Sequence, residues 1–120
     1  MNVLVWNCRG LGNPCTETKL VDIVQAKDPS VVFIAETWVG EARLKIVLQR
    51  IKFENMVFVP RTSRGGGLVL FWRLSVEVSI EGSGKNFIDA IMLKNVLRKI
   101  RCENIFSAPR TNRRGGLVLF

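Results

Sequence analysis

The chain has 120 residues, 48% hydrophobic and 23% charged, with 18 Lys and Arg against 10 Asp and Glu and neither His nor Tyr. A length of about 100–200 residues is typical of one domain, and this composition supports a packed core, which excludes a disordered chain. The missing histidine excludes Ser-His-Asp and Cys-His catalysis and His-containing zinc sites from this chain alone. In chain order, Asn2 to Trp6 reads as a short apolar strand, followed by the turn-rich stretch Asn7 to Pro14. Asn13 before Pro14 predicts an N-cap; Leu20, Ile23 and Val24 then share one helical face, and Asp28-Pro29 stops the helix. Val31 to Ala35 is wholly apolar, as in a strand buried on both faces, and Glu36 stands at its carboxyl end. A second helix carries Leu44, Val47, Leu48 and Ile51, with Glu41 spaced to pair with Lys45. Met56 to Val59, a turn at Gly65-Gly66-Gly67 and Leu68 to Trp72 read as a hairpin. Val76 to Glu81 alternates as a half-buried strand, and Gly82-Ser83-Gly84 turns it into Phe87 to Met92. The order βαβα followed by antiparallel strands predicts a mixed α/β architecture.

The charge is unevenly spread, and a repeat explains why. Leu44 to Phe71 and Leu93 to Phe120 align without a gap, with 17 identities in 28 positions. The second copy holds seven basic residues and one acidic, so residues 1–92 alone carry a net charge of only +2. The duplication therefore supplies most of the +8 that would otherwise argue for a nucleic-acid partner. Two copies are too few for a solenoid. Read like the first copy, the second predicts a helix whose face Lys94, Arg98 and Arg101 is solvated or tracks a phosphate backbone.

No apolar run approaches the ~18 residues that cross a bilayer, so no membrane is implied. The start has no basic n-region, and Cys8, Cys15 and Cys102 are odd in number without CxxC spacing. Both features fit an intracellular chain, nuclear or cytoplasmic and not secreted, without a disulfide framework. Gly82-Ser83-Gly84-Lys85-Asn86 resembles the tail of a phosphate-binding loop, but Ser79 and Asn86 stand where that loop needs Gly and Ser or Thr. Arg64-Gly65-Gly66-Gly67 could offer backbone N–H groups to phosphate, or simply turn a hairpin.

Asn7 and Glu36 follow two apolar strands. If those strands are neighbours, the pair converges at a strand-end position where α/β sheets bind ligands, with oxygen donors suited to Mg²⁺. The alternative is a turn residue and a solvated strand end.

Four segments in order carry a family resemblance. They are Met1 to Gly12 (MNVLVWNCRGLG), Asp28 to Trp38 (DPSVVFIAETW), Gly66 to Trp72 (GGLVLFW) and Asn86 to Ala90 (NFIDA). Together they resemble the endonuclease/exonuclease/phosphatase superfamily, with its DNase I-like fold, in the form found in plant LINE-type retrotransposons. The resemblance covers about residues 1–92. It implies a partial DNase I-like α/β sandwich, a mixed sheet with flanking helices and an incomplete second sheet. It also implies Mg²⁺-assisted hydrolysis of DNA phosphodiesters, with Asn7 and Glu36 serving the metal and phosphate site. The family's later motifs, a Tyr-bearing strand, Gly-Asp-x-Asn and Ser-Asp-His, have no counterpart here. Residues 1–92 are thus expected to form the N-terminal portion of such a domain, and residues 93–120 a duplicated copy of 44–71. The expected product is a catalytically incomplete fragment whose exposed inner sheet face invites self-association. The rival expectations are a non-catalytic basic nucleic-acid-binding module and a pseudogene product without selected function.

Overall fold

The computed structural model describes residues 2–62, 66–103 and 117–119. The elements in order are β1 (Val3–Asn7), α1 (Pro14–Lys27), β2 (Val31–Ala35), α2 (Glu41–Ile51), β3 (Asn55–Val59), β4 (Leu68–Trp72), β5 (Glu77–Gly84), β6 (Phe87–Leu93), β7 (Leu97–Glu103) and β8 (Leu117–Leu119). α1 begins as its sequence requires: the Asn13 side chain accepts from the Cys15 backbone N–H at 2.9 Å, with Pro14 in the first turn. It ends at Asp28, whose backbone is left-handed. β1, α1 and β2 form a β-α-β unit with the two strands parallel.

The main sheet has the order β3-β4-β2-β1-β8, and a smaller sheet the order β5-β6-β7. Period-two alternation sorts the central strands between two cores. Leu4, Trp6, Val32, Ile34, Val69 and Phe71 face α1 and α2, packing with Leu20, Val24, Leu44, Val47 and Ile51. Val3, Val31, Phe33, Ala35, Leu68 and Leu70 face the smaller sheet, packing with Ile88, Ala90, Met92 and Cys102. All five residues of β2 are at most 2% exposed, which is why its sequence is apolar without interruption. The inner sheet face expected to lie open is therefore covered, and the premise for self-association through it falls away.

The second copy of the repeat does not fold like the first. Leu44 to Ile51 lies in α2, but the matching stretch enters β6 and β7, so the expected helix over Lys94, Arg98 and Arg101 is a strand. The repeat unit starts at Leu44, after α2 has begun at Gly40-Glu41-Ala42-Arg43. The second copy is preceded instead by Asp89 to Met92, already paired within β6. A helix limited to residues 93–100 would lack its first turn, and isolated helices below ~12–15 residues are marginal. It would also have Met92 in place of Arg43, which ties α2 to α1. Strand pairing prevails, and Ile100 and Cys102 of β7 join the second core. Arg101 binds Asp89 of β6 through two hydrogen bonds, 2.8 and 3.0 Å, holding that carboxyl below its ordinary range. The helical apolar spacing then has no core to meet. Leu93, Val96 and Leu97 are 39%, 68% and 64% exposed, where their counterparts Leu44 and Val47 are buried.

The end of the repeat does keep its conformation. β4 pairs antiparallel to β2, and β8, with the same Leu-Val-Leu sequence, pairs antiparallel to β1. The two copies flank the central parallel pair. Gly82-Ser83-Gly84, expected to be a turn, lies inside β5 beyond an irregularity at Ile80–Gly82; the turn itself is Lys85-Asn86.

Glu17 on α1 is buried at 4% side-chain exposure and pairs with Arg43 and, at 3.4 Å, Arg50 of α2. Removing a buried partner strands its charges, although both arginines are over a third exposed and solvent screens them. Glu17→Ala should cost about 1–3 kcal/mol in urea unfolding, against about 0.3–0.5 kcal/mol for Glu41→Ala at the exposed pair with Lys45. Equal costs would contradict this packing. The cysteines are free thiols; Cys15 is exposed, while burial pushes Cys8 and Cys102 up to about 12. A thiol reagent at about pH 8 should modify Cys15 alone in the folded chain and all three cysteines in urea. Rapid labelling of a second thiol in the folded chain would count against it.

Candidate functional site

The carboxyl ends of β1 and β2 lie side by side because the parallel register runs from Val3↔Val31 to Asn7↔Ala35. Hydrogen bonding continues past both strands, with Cys8 N–H to Ala35 O at 3.2 Å, Gly10 N–H to Glu36 O at 2.9 Å and Leu11 N–H to Thr37 O at 2.8 Å. On the other side of β2, Ala35 is the register partner of Leu68. There Thr37 N–H donates to Gly67 O at 3.2 Å and Trp38 N–H to Gly66 O at 3.1 Å. The segment Glu36-Thr37-Trp38 is thus clamped between the β1 extension and the approach to β4.

Left-handed backbone concentrates at this end of the sheet. Arg9, Gly10, Glu36, Trp38, Gly66 and Gly67 all have positive φ; the other two such residues among those described, Asp28 and Lys52, are helix C-caps. Three of the six are not glycine, and such conformations cost about 1–3 kcal/mol each unless their surroundings impose them. Strain held in three adjoining segments marks this strand end as the place where geometry outweighs stability.

Glu36 is the charged centre of the cluster. Its Oε2 accepts from the Trp38 indole Nε1–H at 3.0 Å and from the Gly66 backbone N–H at 2.8 Å. Arg61 donates to the Trp38 carbonyl at 2.7 Å. Asn7 closes β1 and shares the alternation of Val3 and Val5 toward the smaller sheet. The two residues expected from sequence to form a site are therefore brought to neighbouring strand ends.

The sequence missed the surroundings. The glycine run reads in sequence as a hairpin turn or as a source of N–H groups for phosphate, whereas the Gly66 N–H donates to the Glu36 carboxylate; Trp38 and Arg61 carry no site signal beyond their place near Glu36 and the glycine run. Among the described residues, no cluster of three or more His, Cys, Asp or Glu forms; the donors that Asn7 and Glu36 could offer a metal are one amide and one carboxylate. That set fits a small hard cation that keeps waters and takes phosphate oxygens for the rest of its shell. A polar cleft of 340 Å³ lined by Asn2, Asp28, Ser30, Arg73 and Lys94 lies at the opposite end of the strands, where Arg73 pairs with Asp28 at 3.1 Å.

Gly67 carries the tightest steric demand. At φ 89° a Cβ would overlap the Thr37 hydroxyl, while Gly66 at φ 75° faces open space. Gly67→Ala should cost about 2–4 kcal/mol from conformation and overlap together, and Gly66→Ala about 1–2 kcal/mol from conformation alone. Equal losses in thermal unfolding would argue against this packing of the loop on Thr37.

The model of the endonuclease/exonuclease/phosphatase family matches residues 4–117. No curated protein sequence matches the chain. Solved structures with this fold include D. rerio TDP2 complexed with single-strand DNA product, at TM-score 0.61 and 17% identity, covering 95% of this chain and 49% of that one. The 3′ phosphatase NExo from Neisseria bound to product DNA hairpin gives 0.56 and 12%, covering 84% and 39%. The AP endonuclease LMAP from Leishmania major gives 0.57 and 13%, covering 85% and 39%. The chain thus spans less than half the length of these structures. None of the helices described is long and apolar enough to cross a membrane. With a family match spanning β1 to the start of β8 and a mixed sheet flanked by helices, the chain belongs to the endonuclease/exonuclease/phosphatase family and has a DNase I-like α/β fold.

Proposed function

We propose that this chain carries the metal- and phosphate-binding half of a DNA phosphodiesterase site and lacks the groups that would complete catalysis. The observation that supports this most is the parallel register that ends at Asn7↔Ala35, so that Asn7 and Glu36 stand at neighbouring strand ends. Glu36 and Asn7 would hold Mg²⁺, with DNA phosphate and water filling the remaining positions. Bound there, Mg²⁺ supplies Lewis-acid stabilisation of charge developing on the phosphate. DNA as the ligand class is supported by the DNA complexes among the related structures. Residues 1–92 correspond to the N-terminal portion of a retroelement-type endonuclease domain of plant LINE character, and residues 93–120 to a duplicated copy of 44–71. Without His, Tyr or a Gly-Asp pair, the chain has no evident group to activate water, a loss of ~10²–10⁴-fold from that term alone.

Supercoiled plasmid with Mg²⁺ tests the reading. Wild-type protein and Glu36→Ala should both leave nicking at the protein-free background. Nicking by the wild type that Glu36→Ala abolishes would mean a complete site and would overturn the incompleteness.

A second reading, a basic binding module, draws on exposed Lys94 and Lys99 along the β6–β7 hairpin. It requires DNA affinity that falls with salt, is unchanged in Glu36→Ala and weakens in the Lys94→Ala/Lys99→Ala double variant.

A further inference from the structure

We propose that Trp38 is a positioning residue for the Glu36 carboxylate, holding it in the orientation that receives a divalent cation. The inference rests on Glu36 being a metal donor, as proposed above. Trp38 is 42% exposed, so its place is not explained by core packing. Yet it is fixed on every side. Its backbone N–H donates to Gly66 O at 3.1 Å, its carbonyl accepts from Arg61 at 2.7 Å, and its φ of 57° is left-handed. Its ring lies over Gly10, where a Cβ would come within 3.0 Å of the indole Cε3. So held, the indole Nε1–H donates to Glu36 Oε2 at 3.0 Å.

The chemistry of the indole suits that role. It is a hydrogen-bond donor only, carried on a rigid ring, so it can aim a carboxylate oxygen without competing for a cation. The Gly66 N–H, at 2.8 Å from the same oxygen, is equally unable to ligate. Two donors from different segments on one oxygen fix the plane of the carboxylate. Groups that orient a metal ligand in this way typically matter about 10–100-fold in metal affinity.

Mn²⁺ affinity, measured by electron paramagnetic resonance on the full chain, tests the proposal in a double-mutant cycle. Trp38→Phe keeps a ring over Gly10 and removes only the donor; it should weaken Mn²⁺ binding about 10–100-fold. In a Glu36→Gln background the same substitution should change nothing further, because the two act as one unit. The Trp38 indole proton resonance should also shift upfield in Glu36→Gln as its charge-assisted hydrogen bond weakens, which checks that this contact forms in solution. The coupling in Mn²⁺ affinity is the readout that a purely structural role would not give. If Glu36→Gln weakens Mn²⁺ binding but Trp38→Phe does not, or if Trp38→Phe acts equally in both backgrounds, the positioning role is wrong. If Glu36→Gln keeps full Mn²⁺ affinity, the metal reading of Glu36 fails and this inference with it.

Discussion

The parallel pairing of β1 with β2 is the constraint on which the rest depends. Parallel strands joined through α1 must end at the same side of the sheet, so Asn7 and Glu36, 29 positions apart in sequence, become neighbours. The pair is buried on both faces, by helices on one and by β5–β7 on the other, which fixes its register. With the register fixed, the chain beyond both strands has little freedom. It bends back through left-handed residues and is clamped by Gly66 and Gly67. The left-handed conformations persist because the buried, register-fixed sheet below imposes them.

The duplication shows how far context decides local structure. Leu93-Lys94-Asn95-Val96-Leu97 differs from Leu44-Lys45-Ile46-Val47-Leu48 at one position, yet one stretch lies in a helix and the other spans the end of a strand, a bend and the start of the next strand. What differs is upstream: Gly40 to Arg43 starts a helix that reaches Glu17, while Asp89 to Met92 is already in a ladder. The glycine-led Leu-Val-Leu strand behaves oppositely, finding an antiparallel partner in both copies. Its sequence is apolar without interruption, and in β4 Leu68 to Phe71 are buried on both faces of the sheet. The helical copy was stable only with its first turn.

Much of the fold was legible because β2 and the two helices announce themselves by unbroken apolarity and by 3.6-residue spacing. Asn13-Pro14 marked the start of α1 for the same local reason that it forms there. β7 was not legible, since Leu93, Val96, Leu97 and Ile100 keep helical spacing in a segment that folds as strand. Nor was the end of β5, where glycine usually signals a turn. The strand-end positions of Asn7 and Glu36, and their coming together as candidates, could be read from the sequence. The roles of Gly66 and Arg61 could not, because they arise from contacts spanning 23 to 30 residues; Trp38 reaches Glu36 across two positions, but only in a left-handed conformation that sequence does not announce.

The proposed half-site joins Asn7 and Glu36 as cation donors at this junction. Amide line broadening by substoichiometric Mn²⁺ in a ¹H–¹⁵N spectrum tests it most directly. Broadening should be confined to residues 7–11, 36–38 and 66–67. Broadening centred instead on the acidic residues of β5, Glu77 and Glu81, with the Asn7 and Glu36 amides unaffected, would contradict it.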